Sequence, residues 1–280
     1  MSFDVTHPEI RQIVRTALAE DIGSGDVTSQ LCIDASRMAS GRFVAREGMT
    51  LAGVELLPLI YEERGGVEEL RLTSASGSRV SAGDEIAFVR GRARTLLECE
   101  RVALNFMQRL SGVATLAARY CAQTAGTRCR VLDTRKTTPG LRRLEKMAAA
   151  AGGVVNHRIG LFDAILIKNN HITAAGGVRQ ALERVRDASV PVEIEARTQQ
   201  EMEDALECGA KHLLLDNHTP ETAREAIRFI AGRAVVELSG RIGLESLAAY
   251  AATGADFVSC GAITHSATAV DMNFRIELEA

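Results

Sequence analysis

The 280-residue chain has no tryptophan, no Cys-x-x-Cys pair, no net charge to speak of and no long apolar run. Each absence removes a class of protein. No stretch approaches the roughly 18 apolar residues needed to cross a bilayer, so no membrane partner is expected. The amino terminus MSFDVTHPEIRQ lacks the basic start and apolar stretch of a secretory leader, which points to a cytoplasmic protein. Six cysteines (Cys32, Cys99, Cys121, Cys129, Cys208, Cys260) are scattered, several inside apolar runs such as FVSC, and read as reduced, buried thiols rather than a disulfide framework. The 33 Lys+Arg against 36 Asp+Glu leave −3, which gives no global reason to expect nucleic acid or an acidic membrane surface. With 46% hydrophobic and 25% charged residues, disordered and fibrous classes are excluded as well. What remains is a soluble globular chain long enough for one large or two modest domains.

Two textures divide it. In HPEIRQIVRTALAEDIG, Ile10, Ile13, Val14, Ala17 and Leu18 share one helical face and Pro8 suits a first turn. Short runs then alternate with glycine turns: GRFVAREG, LAGVELL and SGSRVSAGDEIAFVRG, the last reading as strands joined by tight turns. From Thr95 a long helix is predicted, with Leu96, Cys99, Ala103, Phe106, Leu110 and Val113 about one turn apart. From Arg130 the chain becomes regular. The apolar runs RVLD, AILI, VEIE, HLLLD, AVVEL and DFVSC are separated by helical stretches such as VRQALERVRDA, QEMEDALECGA, ETAREAIRFIA and LESLAAYAATGA. Six such units predict a parallel sheet buried on both faces.

Polar residues stand at the carboxyl ends of these runs: Thr134, Arg135 and Lys136 after VLD, Lys168 after AILI, Glu195 closing VEIE, Asp216 closing LLLD, Ser239 and Gly240 after VVEL, Gly261 after FVSC. Strands often finish in polar turn residues, which accounts for any one of these. In an α/β barrel, however, all strand ends surround one mouth, whereas a doubly wound sheet uses only the loops at its switch point. Six decorated ends therefore favour a barrel with one pocket.

The charge is local too. Residues 128–168 hold nine Lys and Arg against three Asp and Glu, a balance of +6, so the remainder sums to −9. Arg142, Arg143 and Lys146 fall on a predicted helix and suit a solvated face. Arg135, Lys136, His157, Arg158 and Lys168 lie in loops or at a strand end, where a cation cluster repels itself unless an anion occupies it. Opposite them stand Glu195 and Asp216, one strand apart. Such a pair could work as general acid and base, ligate a hard cation such as Mg²⁺, or salt-bridge to Lys168 or Arg158. Ser239-Gly240 and Gly261-Ala262 would let backbone N–H groups approach a phosphate. Together these parts describe a pocket for a multiply anionic substrate, part organic acid and part phosphate, with a metal.

DTRKTTPGLRRLEK (133–146) followed by NHRIGLFDAILIKNNHI (156–172) closely resembles the quinolinate phosphoribosyltransferase family. EDIGSGDVTS, LLECERVALNFMQRLSGVAT, LLLDN, ELSG and GADFVSCGAITHSATAVDMNF extend the likeness over nearly the whole chain. The resemblance implies an amino-terminal α/β sandwich domain (1–112, joined by the tail 267–280) and an irregular α/β barrel of about six parallel strands (113–266). It implies a homodimer in which Arg101 reaches across to the neighbouring site; from the sequence alone Arg101 reads as a helix-surface residue. Carried over by motif, Arg135, His157 and Arg158, with Arg101, would hold the carboxylates of quinolinate, and Thr134 would lie in the same loop. Lys136 and Lys168 would sit among carboxylate and phosphate oxygens. Glu195 and Asp216 would face the ribose and the Mg²⁺ of 5-phosphoribosyl 1-pyrophosphate, directly or through water. Ser239, Gly240 and Gly261 would take the 5′-phosphate, with Arg241 beside them.

The implied reaction is transfer of phosphoribosyl to the pyridine nitrogen, release of pyrophosphate, and loss of CO₂ to give nicotinate mononucleotide in NAD biosynthesis. No Ser or Cys nucleophile is signposted. Four positions depart from the family pattern: Val154, Asn169, Arg197 and Arg241. Three rival classes are a molybdenum-transport-linked paralogue, whose motifs differ from DTRKTTPGLR and IKNNHI, a Schiff-base aldolase using Lys168, and a nucleic-acid binder. The basic 128–168 segment has Phe162 as its only aromatic, which argues against base stacking and against a nucleic-acid partner.

Overall fold

The computed structural model describes residues 3–278. Contacts divide the chain into two compact units. One takes in residues up to Ala118, Thr137–Gly153 and the chain from Thr264 onward; the other comprises Arg119–Lys136 and Val154–Ile263. Among the described residues no helix is long and apolar enough to cross a membrane.

Helix α1 (Pro8–Ile22) begins with Pro8 in its first turn and is capped by the His7 side chain, which accepts from the Glu9 N–H. It buries Ile10, Val14 and Leu18, the predicted face. The elements α2 (Val27–Cys32), β1 (Met38–Ala45), β2 (Met49–Thr50), α3 (Leu56–Glu62), β3 (Glu69–Leu72), β4 (Arg79–Val80) and β5 (Glu85–Arg92) follow. β1 pairs antiparallel with β5, shifting register between Phe43 and Val44, and β3 adds beyond β5. The two-residue strands β2 and β4 pair with each other alone. The long helix α4 (Ala93–Ala122) buries Leu96, Cys99, Ala103, Phe106, Leu110 and Val113, as the one-turn spacing predicts.

Next come β6 (Arg130–Leu132), α5 (Arg142–Ala151), β7 (Ile165–Ile167), α6 (Asn169–Ala175), α7 (Val178–Arg184), β8 (Val192–Ala196) and α8 (Gln199–Glu207). They are followed by β9 (His212–Asp216), α9 (Pro220–Ile230), β10 (Val235–Ser239), α10 (Leu247–Ala251), β11 (Phe257–Ser259) and α11 (Ala262–His265). All six predicted apolar runs are strands. The last strand, β12 (Met272–Leu278), returns to pair antiparallel with β1, completing a four-stranded sheet ordered β12-β1-β5-β3.

The second sheet settles barrel against doubly wound. Its lateral order is β6-β11-β10-β9-β8-β7, every pair parallel. A doubly wound sheet reverses its order at a switch point. Here the strands run in chain order without reversal, except that the first lies against the last, which is the order of a ring. On its other side β6 bridges to Val155, whose N–H donates to the Val131 carbonyl at 2.9 Å and whose carbonyl accepts from the Asp133 N–H at 3.2 Å. The stretch at Val155 thus extends the wall beyond β6, on the side away from β11, by an irregular bridge rather than a full strand.

Helix α5 and its flanks cluster with the first unit. Its binding there is polar as well as apolar: Glu145 is fully buried, and Arg109 of α4 donates to it at 2.7 Å while also donating to the carbonyls of Thr264 and Ala267. Lys146, expected on a solvated face, is fully buried. Gly152 ends α5 at a point where a Cβ would come within 2.4 Å of the Ala114 carbonyl oxygen. Finally, Cys99, Cys129 and Cys260 are buried as expected, but Cys32 and Cys208 are exposed.

Candidate active site

Alternation along the strands decides what enters the barrel. In β8, Glu193 and Glu195 share one face; in β9, His212, Leu214 and Asp216 do; in β10, Glu237 and Ser239. The intervening Ile194, Leu213, Leu215 and Leu238 are buried on the other face, towards the helices. Two polar levels result.

The upper level lies at the carboxyl ends. Glu195 is only 6% exposed, and its carboxyl is raised above the ordinary range first by burial and then by the charge of Asp216, with Lys168 opposing. Asp216 pairs in register with Ser239 and accepts from Asn217 Nδ2 at 2.5 Å. Lys168 is exposed and caps α6, its N–H donating to His171 Nδ1 at 2.9 Å. Gly240 has φ +109° and sits where a Cβ would fall 2.6 Å from the Asn217 backbone nitrogen, so only glycine lets the two loops approach. Arg241 is exposed with φ +52°, and Gly261 immediately precedes α11.

The loops after β6 and around 156–158 bring in the cations. Lys136 is exposed, and its N–H donates to Thr134 Oγ1 at 3.0 Å, a turn that holds Thr134, Arg135 and Lys136 together. Asp133, fully buried, accepts from the His157 N–H at 2.8 Å and from Asn156 Nδ2 at 2.6 Å. Arg158 is half-buried, its Nη1 donating to the Ala164 carbonyl at 2.9 Å. Its guanidinium is held below the ordinary arginine range by burial and then by the charge of Arg135, so the two arginines repel across a short distance. Arg101 lies on α4 in the first unit, its side chain 56% exposed and 3.9 Å from Glu100.

The lower level was not foreseen. His157 Nε2 lies 3.2 Å from a Glu193 oxygen and 3.6 Å from one of Glu237, and His212 Nε2 is 3.4 Å from the other Glu193 oxygen. Glu193 and Glu237 are 6% and 1% exposed. Burial, reinforced by Glu193, pushes the Glu237 carboxyl up to about 8. One ligating atom each from His157, Glu193 and Glu237 lie within 4.8 Å of one another. The signal was present in VEIE and VVEL: an acid in mid-strand of an otherwise apolar run cannot face the helices and has to face the barrel.

A wall of parallel strands with Glu195 and Asp216 on neighbouring carboxyl ends, Lys168 near enough to Glu195 and Arg135 to Arg158 for their charges to be felt, is that of an α/β-barrel enzyme. Comparison with known proteins narrows that class. The chain matches the family models for the quinolinate phosphoribosyl transferase N-terminal domain over residues 26–111 and C-terminal domain over residues 113–275. It is 36% identical to the probable nicotinate-nucleotide pyrophosphorylase [carboxylating] of Bacillus subtilis, over 98% of this chain and 96% of that protein. It is 37% identical to the nicotinate-nucleotide pyrophosphorylase [carboxylating] of Mycobacterium leprae, over 97% of this chain and 99% of that one. The solved nicotinate-nucleotide pyrophosphorylase of Francisella tularensis superposes with a TM-score of 0.94 at 36% identity, covering 98% of each chain. The chain belongs to the quinolinate phosphoribosyltransferase family.

Proposed function

We propose that this protein transfers phosphoribosyl from 5-phosphoribosyl 1-pyrophosphate to the nitrogen of quinolinate, releasing pyrophosphate and CO₂ and forming nicotinate mononucleotide for NAD biosynthesis. The observation that carries this reading is the single barrel mouth, with clustered arginines and lysines facing the paired acids Glu195 and Asp216. Arg135 and Arg158, side by side and otherwise repelling, take the quinolinate carboxylates together with Arg101 from a second subunit of a homodimer. Lys136 and Lys168 neutralise carboxylate and phosphate oxygens. Ser239, Gly240 and Gly261 receive the 5′-phosphate through hydroxyl and backbone N–H groups, and Arg241 adds a cation beside them.

Glu195 and Asp216 fit a hard divalent cation: they are oxygen donors on neighbouring strands, and the charge of Asp216 helps to raise the Glu195 carboxyl. Mg²⁺ held there would neutralise charge on the pyrophosphate. The same carboxylates stabilise the cation-like ribose as the bond to pyrophosphate breaks and the pyridine nitrogen closes on the anomeric carbon. Once that nitrogen is quaternary, the ring accepts the electron pair left by the departing 2-carboxylate. The protein's part is to fix two anions in line and screen their charge. The cytoplasm is the proposed location, a reducing compartment that suits six free cysteines.

The test is direct. Purified protein with Mg²⁺, quinolinate and phosphoribosyl pyrophosphate yields nicotinate mononucleotide and pyrophosphate, and omission of quinolinate abolishes pyrophosphate release. Absence of nicotinate mononucleotide at saturating substrates overturns the proposal.

A further inference from the structure

The resemblance puts His157 with Arg158 on a quinolinate carboxylate; in the structure its two ring nitrogens face other partners. Its Nδ1 accepts from the Arg158 N–H at 2.7 Å, and its Nε2 points into the barrel, 3.2 Å from Glu193 and 3.6 Å from Glu237. A nitrogen that accepts from an N–H carries no proton, so the ring proton is on Nε2 and the imidazole is neutral. Two carboxylates meet that proton in a space with little solvent. Glu193 and Glu237 are both buried there. A metal ion in the same place would need the Nε2 lone pair, hence a proton on Nδ1 facing the Arg158 N–H.

We infer that His157 acts from inside the barrel, as a neutral Nε2–H imidazole tying the Glu193–Glu237 pair to the main chain that presents Arg158, and that Glu193 is the positioning residue that sets its orientation. The loop is then held from two sides. Asp133 fixes the main chain at His157, and Glu193, through the ring, fixes it at Arg158. Only the kinetic consequence rests on the proposed reaction.

Protein labelled with ¹⁵N-histidine, with His157→Asn used to assign the signal, reads the ring directly. Long-range ¹H–¹⁵N spectra at neutral pH show the Nε2–H tautomer, unchanged on adding quinolinate. A proton on Nδ1, or a doubly protonated ring, overturns the inference. So does tight Co²⁺ binding with tetrahedral absorption bands that vanish in Glu237→Gln. In the kinetic arm, Glu193→Leu removes the acceptor and raises the KM for quinolinate about tenfold, with a smaller effect on kcat and on the KM for phosphoribosyl pyrophosphate. Glu193→Gln, which keeps an acceptor oxygen, restores most of that loss; equal damage from both, or none from Leu, counts against the role. If Glu193→Leu fails to fold, the tautomer of His157 in Glu193→Gln remains decisive. If the wild type does not turn over quinolinate, the proposed reaction fails while the spectra still decide the inference.

Discussion

Glu237 shows how the barrel sets the protonation of a single residue. Its ordinary value is 4.5, and burial with the neighbouring Glu193 raises it to about 8 in the fold. Between those limits the folded chain keeps a proton that the unfolded chain has released. The favourable contribution is therefore complete below about pH 4.5 and is lost progressively as pH rises to about 8. Glu237→Gln removes that dependence, so its melting temperature should rise relative to wild type across the same range. A difference that stays flat with pH contradicts the buried, proton-holding glutamate. At this scale the sequence was half legible. Lys168, Glu195, Asp216 and Ser239 could be picked out because each follows or closes an apolar run. Glu193 and Glu237 were legible only indirectly: a run read as buried on both faces leaves no place for a charge, and an acid in mid-strand has to find the barrel's polar interior. Lys146 escaped for the opposite reason: helical periodicity cannot show that a charged face is covered.

Among the elements, the loops between strand and helix carry the consequences. The β10 loop turns at Gly240 with φ +109°, against the Asn217 loop that follows β9. Gly240→Ala introduces a Cβ 2.6 Å from backbone that cannot yield, and adds a conformation L-residues avoid. The expected cost is about 1–3 kcal/mol of local strain, appearing as a raised KM for phosphoribosyl pyrophosphate with little change in that for quinolinate. An unchanged phosphoribosyl pyrophosphate KM would remove this loop from the phosphate site. The six barrel strands were legible because each is a short apolar run set between amphipathic helical stretches. β2, two residues long, was not, since a pairing that short leaves no periodicity to find.

Across the whole molecule, the net charge of −3 conceals +6 over residues 128–168 and −9 elsewhere. The basic segment spans Arg135, Lys136, Arg158 and Lys168, so the average that excluded nucleic acid also hid the cations proposed to hold the substrates. The proposed dimer is tested by complementation. Arg101→Ala and Lys136→Ala should each be nearly inactive alone. Mixed and allowed to exchange subunits, they should recover about a quarter of wild-type activity, because half the dimers are mixed and each has one intact site. No recovery despite demonstrated subunit exchange rules out a cation donated across an interface. The stretch from Val155 to Arg158 gives this architecture an unequal tolerance of change. It closes the barrel wall against β6 and, three residues later, presents an arginine to the site, while Asp133 pins it in between. Insertions elsewhere between strand and helix can lengthen a loop and leave the ring intact. Here the segment is a keystone, and a single inserted residue would breach the wall and displace the cation together, leaving drift little freedom to remodel this part of the mouth.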